Sequence, residues 1–218
     1  MRAFIFANGE YKAPLHLPEF QDGDLVIAAD GGSRHCQALK VVPDILIGDL
    51  DSSDPNLAAS WELMGVEIIL HPQDKDQTDL ELALLLAQER GATEALVYGA
   101  VGGRLDMTFG NLVLLAHPLL IIPTTLVCGN EEVRLLQAGD TLELVGTNRD
   151  TLSLLPLHPD GARVSAKGVL YPLKDELLEF GLTRGISNQL IQTSATITLE
   201  TGLLAVIHTR SKTLEEVS

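Results

Sequence analysis

Short apolar runs alternate with segments of helical periodicity over the first 130 residues, and this alternation restricts the fold more than any other feature of the chain. The apolar runs read RAFIFA, LVIAAD, DILIGD, VEIIL, EALVYGA and LLIIPTTLVC. Helical patterns lie between most of them, at residues 32–40, 55–64, 78–90 and 106–116. Strands that alternate with helices at this spacing indicate a parallel sheet with helices on its faces. We therefore predict an α/β domain over residues 1–130.

Two polar residues predict where helices begin. Thr78-Asp79-Leu80-Glu81 has the capping-box form, in which the threonine and glutamate side chains bind backbone amides of the first turn. Asp54, directly before Pro55, is interpreted as another helix N-cap.

The pattern changes from about Glu131 onward. Short runs of alternating apolar and polar residues appear there: DTLELVG, DTLSLLPL, ARVSAKGVL, SATITLE and GLLAVIHTR. Such alternation is typical of half-buried antiparallel strands. We predict a second, all-β domain over residues 131–218, built as a sandwich or barrel.

Charge and composition narrow the class of protein. The formal net charge of −15 argues against a nucleic-acid partner, which would need a basic surface. It suits a cationic ligand or metal ions, or simply an acidic solvated surface. The longest apolar run, residues 112–122, is broken by His117 and Pro118, whereas a membrane span needs roughly 20 residues. We predict no membrane association, and the two cysteines of the chain favour the reducing cytoplasm.

Aspartates follow four consecutive predicted strands. They are Asp30, then Asp49 and Asp51, then Asp74, Asp76 and Asp79, then Asp106. Because ligands of open parallel sheets bind at the carboxyl ends of the strands, these carboxylates are expected at one edge. They would repel each other without a cation among them, and Mg²⁺ prefers carboxylate and phosphate oxygens. The alternative for any single aspartate is an ordinary loop or helix cap. The set indicates a metal site that also binds a polyphosphate.

Two glycine pairs and one arginine support phosphate binding. Gly31-Gly32 follows Asp30, and Gly102-Gly103 precedes Arg104. Glycine allows backbone amides to approach phosphate closely at a helix N-terminus. Arg104 either clamps phosphate oxygens or forms a salt bridge with Asp106 or another neighbour. The sequence has neither a Walker A motif nor GxGxxG after its first strand.

The motifs together resemble those of the thiamin pyrophosphokinase family, whose members transfer a pyrophosphoryl group from ATP to thiamine and release AMP. The matching stretches are AADGG, PDILIGDLDS, DKDQTDLELAL, GGRLDMTFGNL and GVLYPLKDELLEFGLTRGISN, in that order along nearly the whole chain. The resemblance implies an α/β ATP-binding catalytic domain, a β-sandwich that binds thiamine, and a homodimer with thiamine bound where domains of two subunits meet.

The resemblance also implies roles for individual residues. Metal binding falls to Asp49, Asp51 and Asp79, which with Asp106 form the catalytic set. ATP and phosphate binding falls to Asp30, Gly31, Asp76, Thr78 and Arg104. Ser187 and Asn188 would contact thiamine. Several family members have an aromatic residue shortly after this Ser-Asn pair, but Gln189 and Leu190 follow it here, so the residue that stacks on thiamine is not identified.

Two alternatives stay open at this point. The chain could be a pyrophosphokinase for another heterocyclic alcohol, such as a pterin, or a non-catalytic module that binds thiamine or a nucleotide. A non-catalytic module would be expected to lack the metal-binding carboxylates, which are present here. The carboxylate that accepts the proton of the alcohol is either Asp79 or Asp106.

Overall fold

A computed structural model of the chain describes residues 1–14, 19–51 and 55–211. The N-cap predicted at Asp54 lies outside the described residues. The chain divides into two compact units, Met1–Gly129 and Asn130–Ser218.

The first unit is an α/β fold, as the apolar alternation predicts. Its elements are β1 (Arg2–Phe6), β2 (Leu25–Ala29), α1 (Ser33–Leu39), β3 (Ile45–Gly48), α2 (Pro55–Leu63), β4 (Glu67–Leu70), α3 (Asp79–Glu89), β5 (Glu94–Tyr98), α4 (Leu105–Leu114) and β6 (Thr124–Cys128), with a 3-10 turn at Asp30–Gly32. The strands lie in the order β6-β5-β1-β2-β3-β4, and each neighbouring pair is parallel. The chain moves outward from β1 to β4, and then returns to place β5 on the other side of β1.

Burial explains why these runs are strands. All four residues of β3 are buried, as expected for an inner strand covered on both faces by helices. β4 is at the edge of the sheet, and its end residues Glu67 and Leu70 are exposed. Phe4, Phe6 and Leu46 of the sheet belong to one core cluster, which also contains Cys36 of α1 and Trp61 of α2.

Helix α3 begins where the capping box predicts. Thr78 is its N-cap, and the Thr78 side chain accepts a hydrogen bond from the backbone N–H of Glu81 at 3.2 Å. Its buried residues are Leu80, Ala83, Leu84 and Ala87, one face of the helix.

The second unit consists of antiparallel strands. They are β7 (Glu131–Gln137), β8 (Thr141–Val145), β9 (Thr151–Pro156), β10 (Ala162–Lys167), β11 (Leu173–Leu178), β12 (Asn188–Gln189), β13 (Ser194–Thr201) and β14 (Leu203–Thr209). One layer of the unit contains strands in the order β12-β9-β14-β7, and the other layer contains strands in the order β11-β10-β13-β8. Leucine, isoleucine, valine and alanine side chains from both faces form one core, which makes the unit a β-sandwich.

One predicted strand is shorter than expected. The run LLIIPTTLVC, residues 119–128, is strand only from Thr124 onward. Pro118 and Pro123 border its first part, and proline cannot donate to a sheet ladder. Leu119 and Ile121 are exposed there rather than buried.

Two further observations concern membranes and thiols. In the described part of the chain, no helix combines the length and apolarity needed to cross a membrane. Cys36 and Cys128 are both free and buried, and burial raises the pKa of the Cys36 thiol to about 12.

Candidate functional site

A cleft of about 650 Å³ opens at the carboxyl ends of the parallel strands in the first unit. Segments after β1, β2, β3, β4 and β5 all contribute to it: residues 7–10, 29–30, 49, 73, 75, 77–80, 100, 102–104, 107 and 111. The cleft lies where the chain reverses its direction across the sheet, with β2 on one side of β1 and β5 on the other. This is the usual ligand position in an open α/β sheet.

Three carboxylates meet at this edge. Asp30, Asp49 and Asp51 each offer an oxygen, and these oxygens lie within 4.8 Å of one another. Asp30 is buried, Asp49 is half-buried and Asp51 is exposed. The sequence-based ligand set contains Asp49, Asp51 and Asp79, so the structure places Asp30 in a group where sequence reasoning expected Asp79.

Local geometry holds the Asp49-Asp51 pair together. The backbone N–H of Asp51 donates to Asp49 Oδ1 at 3.1 Å, and Gln73 Nε2 donates to Asp51 Oδ2 at 2.9 Å. Leu50, between them, has φ of 60°, in the left-handed region that non-glycine residues rarely adopt. Sequence reasoning did not identify Gln73, which lines the cleft.

The backbone conformation and close surroundings of residue 48 explain why the GDLDS motif begins with glycine. Its φ is 147°, and a Cβ at this position would lie 3.1 Å from Asp30 Cβ and 3.2 Å from Asp79 Oδ1. Asp30 and Asp79 therefore both approach residue 48 closely. A side chain there would separate carboxylates that the fold brings together.

Asp79 pairs with a lysine that the sequence-based analysis left out. Lys75 Nζ lies 3.0 Å from Asp79 Oδ1, and both residues line the cleft. Burial raises the pKa of Asp79, the nearby carboxylates of Asp30 and Asp49 raise it further, and Lys75 opposes both effects. Lys75 is the one cation in the acidic run DKDQTD, which is a signal that the sequence offered.

Arg104 and Asp106 form a bidentate ion pair. Arg104 Nε donates to Asp106 Oδ1 at 3.1 Å, and a terminal nitrogen donates to Asp106 Oδ2 at 2.6 Å. The hydrogen bond from Arg104, with one from the backbone of Met107, lowers the pKa of Asp106. Of the two roles left open for Arg104, the salt bridge is the one observed. Arg104 lines the cleft, whereas Asp106 lines a neighbouring pocket between α3 and α4.

Some of the remaining candidates for phosphate binding line the cleft, and others do not. Thr78 lines the cleft at the N-terminus of α3, and Gly102 and Gly103 line it at the turn before α4. Gly31 is buried, and a Cβ there would lie 2.0 Å from Asn8 Oδ1. Asp76 is exposed, and it is not among the described residues that line the cleft, although its neighbours Lys75 and Gln77 are.

Ser187 and Asn188 lie together in the second unit, in a separate pocket of about 280 Å³. Asn188 is buried, while Ser187 is exposed with φ of 60°. Tyr171 lines the same pocket and is 65% exposed. Sequence reasoning searched for an aromatic residue after the Ser-Asn pair, whereas Tyr171 precedes Asn188 by 17 residues.

Comparison with known proteins gives consistent matches along the chain. The family model described as the thiamin pyrophosphokinase catalytic domain matches residues 18–122, and the one described as the thiamin pyrophosphokinase vitamin B1 binding domain matches residues 141–204. Thiamine pyrophosphokinase of Bacillus subtilis is 28% identical over 184 residues, covering 84% of this chain and 86% of that protein. Thiamine pyrophosphokinase 1 of Arabidopsis thaliana is 27% identical over 177 residues, covering 76% of this chain and 65% of that protein.

A solved structure shows the same fold. The crystal structure of thiamine pyrophosphokinase from Bacillus subtilis superposes with a TM-score of 0.84 at 24% sequence identity. The match covers 97% of this chain and all of the other.

Proposed function

The chain belongs to the thiamin pyrophosphokinase family, and on that premise we propose that it transfers the β,γ-pyrophosphoryl group of ATP to the hydroxyl of thiamine with the help of Mg²⁺, giving thiamine diphosphate and AMP. The observation that carries this proposal is the grouping of Asp51 with Asp30 and Asp49, the two members of the group that line the cleft. Carboxylates this close repel one another, and a bound cation would relieve that repulsion.

The three carboxylates fit Mg²⁺ by the chemistry of their donors. They offer only oxygen atoms, which this hard cation prefers, and they leave room for phosphate oxygens as further ligands. When bound, the metal would neutralise charge on the polyphosphate, the main requirement for phosphoryl-type transfer. Asp79, which lines the same cleft and whose Oδ1 lies 3.0 Å from Lys75 Nζ, would be a further oxygen ligand for the metal.

Cationic and backbone groups of the cleft would bind the triphosphate. Lys75 and Arg104 are the candidate phosphate contacts, since both are cationic and line the cleft. The N-terminus of α3 at Thr78 and the turn at Gly103 would offer backbone amides, whereas the backbone N–H of Gly102 donates to Thr108 Oγ1 at 3.1 Å. Asp106 is not the proposed acceptor of the thiamine hydroxyl proton, because both of its oxygens accept hydrogen bonds from Arg104. We assign Asp106 to orienting Arg104, and Asp79 is the remaining candidate for accepting the proton of the alcohol.

Thiamine would bind at the pocket of the second unit. Tyr171 presents an exposed ring there, and a π-face attracts the positively charged thiazolium or stacks on the pyrimidine. Ser187 offers a polar contact beside it. Asn188 contributes by holding the backbone of Tyr171.

Assembly and location are proposed from the family resemblance, the exposed side chains and the cysteines. A homodimer follows from the resemblance to the family, and the exposed apolar side chains of Leu105, Phe109 and Val113 on α4 support an interface with a second copy. Sedimentation of the purified protein tests this. The two free cysteines support a cytoplasmic location.

Product analysis tests the proposed reaction. The purified protein is incubated with ATP, Mg²⁺ and either thiamine or a pterin alcohol, and AMP and the esterified alcohol are separated by chromatography. We expect AMP and thiamine diphosphate in equal amounts, and neither in the presence of a chelator. AMP formed only with the pterin would overturn the assigned acceptor. Thiamine binding without any AMP would indicate a non-catalytic module.

A further inference from the structure

Asn8, the second residue after β1, contacts the buried carboxylate of the acidic group. Its Nδ2 donates to Asp30 Oδ2 at 3.0 Å, and Asn8 lines the cleft. It lies before residue 18, where the match to the catalytic-domain family begins. The sequence motifs also leave it without a role.

Arg34 determines which end of the Asn8 amide faces Asp30. A terminal nitrogen of Arg34 donates to Asn8 Oδ1 at 2.5 Å. A guanidinium has only donors, so the amide oxygen must face it, and the amide nitrogen is left for Asp30. Arg34 Nε also donates to the carbonyl of Gly31 at 3.1 Å, which ties the guanidinium to the turn that carries Asp30.

The turn at Asp30–Gly32 is shaped around this contact. A Cβ on Gly31 would lie 2.0 Å from Asn8 Oδ1 and 2.4 Å from its Cγ, so any other residue at position 31 would displace Asn8. Asp30 itself has φ of 46°, in the left-handed region. Backbone in this region is retained where the surroundings over-determine it, often at functional sites.

We propose that Asn8 is a positioning residue that holds the Asp30 carboxylate in the orientation in which it meets Asp49 and Asp51 around the metal. Arg34 acts one step further out, by fixing the Asn8 amide. This inference rests on the proposed function, because it takes a divalent cation to be the occupant of the three carboxylates. Hydrogen-bond partners of this kind orient ligating carboxylates in many metal sites.

Binding of Mn²⁺, as a spectroscopic substitute for Mg²⁺, tests the proposal without turnover. Free Mn²⁺ is measured by electron paramagnetic resonance as it is titrated into the nucleotide-free protein. Asn8→Leu keeps the size of the side chain but removes the donor, and we expect it to weaken Mn²⁺ binding about 10- to 100-fold. Gly31→Ala should weaken binding in the same way, because its Cβ displaces Asn8. Arg34→Met retains the amide and should weaken binding less.

Controls separate positioning from a general loss of structure. Asn130→Leu removes a comparable donor in the second unit, where Asn130 Nδ2 donates to the carbonyl of Arg210, and should leave Mn²⁺ binding unchanged. Circular dichroism and thermal melts identify variants that do not fold, and the exposed Arg34 offers a substitution that is tolerated more easily. The concentration of Mg²⁺ needed for half-maximal turnover should rise in Asn8→Leu, while the KM for thiamine stays unchanged.

The outcomes also separate this inference from the proposed function. A wild-type protein that binds no Mn²⁺ would overturn the metal site and this inference with it. If the wild-type protein binds Mn²⁺, and folded Asn8→Leu and Arg34→Met bind it with the same affinity, this inference alone would be overturned. Graded weakening, with Arg34→Met between the wild type and Asn8→Leu, would support it.

Discussion

The side-chain amide of Asn188 binds both backbone polar groups of Tyr171. Asn188 Oδ1 accepts from the Tyr171 N–H at 3.0 Å, and Asn188 Nδ2 donates to the Tyr171 carbonyl at 2.8 Å. The Asn188 oxygen also accepts from the backbone N–H of Gln189. Asn188 of the GISN segment therefore fixes the loop that presents the exposed ring of Tyr171 to the pocket that Ser187 and Asn188 also line.

Replacing the Tyr171 ring should weaken thiamine binding selectively. Aromatic contacts contribute about 0.5–1.5 kcal/mol, so Tyr171→Ala should raise the KM for thiamine by about tenfold at most. The KM for ATP should not change, and Tyr171→Phe should behave like the wild type. Steady-state kinetics with each substrate varied in turn provides the measurement. Phe180→Ala, at another exposed aromatic residue of the same unit, is the matched control.

Asn188→Ala should act through Tyr171. The variant loses partly buried hydrogen bonds, so we expect a loss of about 1–3 kcal/mol in the free energy of unfolding, together with a higher KM for thiamine. In the Tyr171→Ala background the effect on KM should largely disappear, because the two residues act as one unit. A double-mutant cycle measures this coupling. Full additivity would mean that Asn188 contacts thiamine by itself.

Lys75→Met should weaken binding of ATP. Hydrogen bonds to charged groups contribute about 1.5–3 kcal/mol, which corresponds to a rise in the KM for ATP of roughly tenfold or more. The KM for thiamine should stay the same. Lys174→Met, at an exposed lysine of the second unit, controls for the change in net charge. An unchanged KM for ATP would show that Lys75 serves only to pair with Asp79.

Much of the site could be predicted because it follows local rules. A carboxylate directly after a buried strand must lie at the edge of the sheet, which predicted the Asp49-Asp51 pair and its neighbours. The grouping of Asp30, rather than Asp79, with Asp49 and Asp51 could not be predicted, because it depends on the pairing of β2 with β3. Ala29 lies opposite Ile47, and Asp30 therefore comes level with the end of β3.

Non-local pairing also explains why Tyr171 was missed. It precedes Asn188 by 17 residues, and the two loops meet through the isolated antiparallel bridge between Val169 and Leu190. A search confined to residues after the Ser-Asn pair cannot find such a contact. Asn8 was missed for a different reason, since an asparagine after a strand resembles an ordinary turn residue.

The ion pair between Arg2 and Asp24 should make stability depend on pH. The hydrogen bond from Arg2 lowers the pKa of Asp24 from 3.8 to about 2 in the folded protein. A lowered folded-state pKa contributes stability that is fully present above 3.8 and is lost as the pH falls towards 2. Asp24→Asn should therefore be less stable than the wild type at pH 6, and the difference should shrink below pH 3.8. Urea denaturation across this range measures the difference, and a gap independent of pH would contradict the assignment.

The most direct test of the account is turnover by Asp51→Ala with ATP, thiamine and Mg²⁺, following AMP and thiamine diphosphate together. Asp51 is exposed, so its removal should leave the fold intact, as circular dichroism and thermal melting can verify. Asp160→Ala, at an exposed carboxylate of the second unit, serves as the control and should keep full activity. We predict that Asp51→Ala forms neither product above background and binds Mn²⁺ more weakly than the wild type. Turnover at the wild-type rate in the folded variant would contradict the proposal that these carboxylates hold the metal.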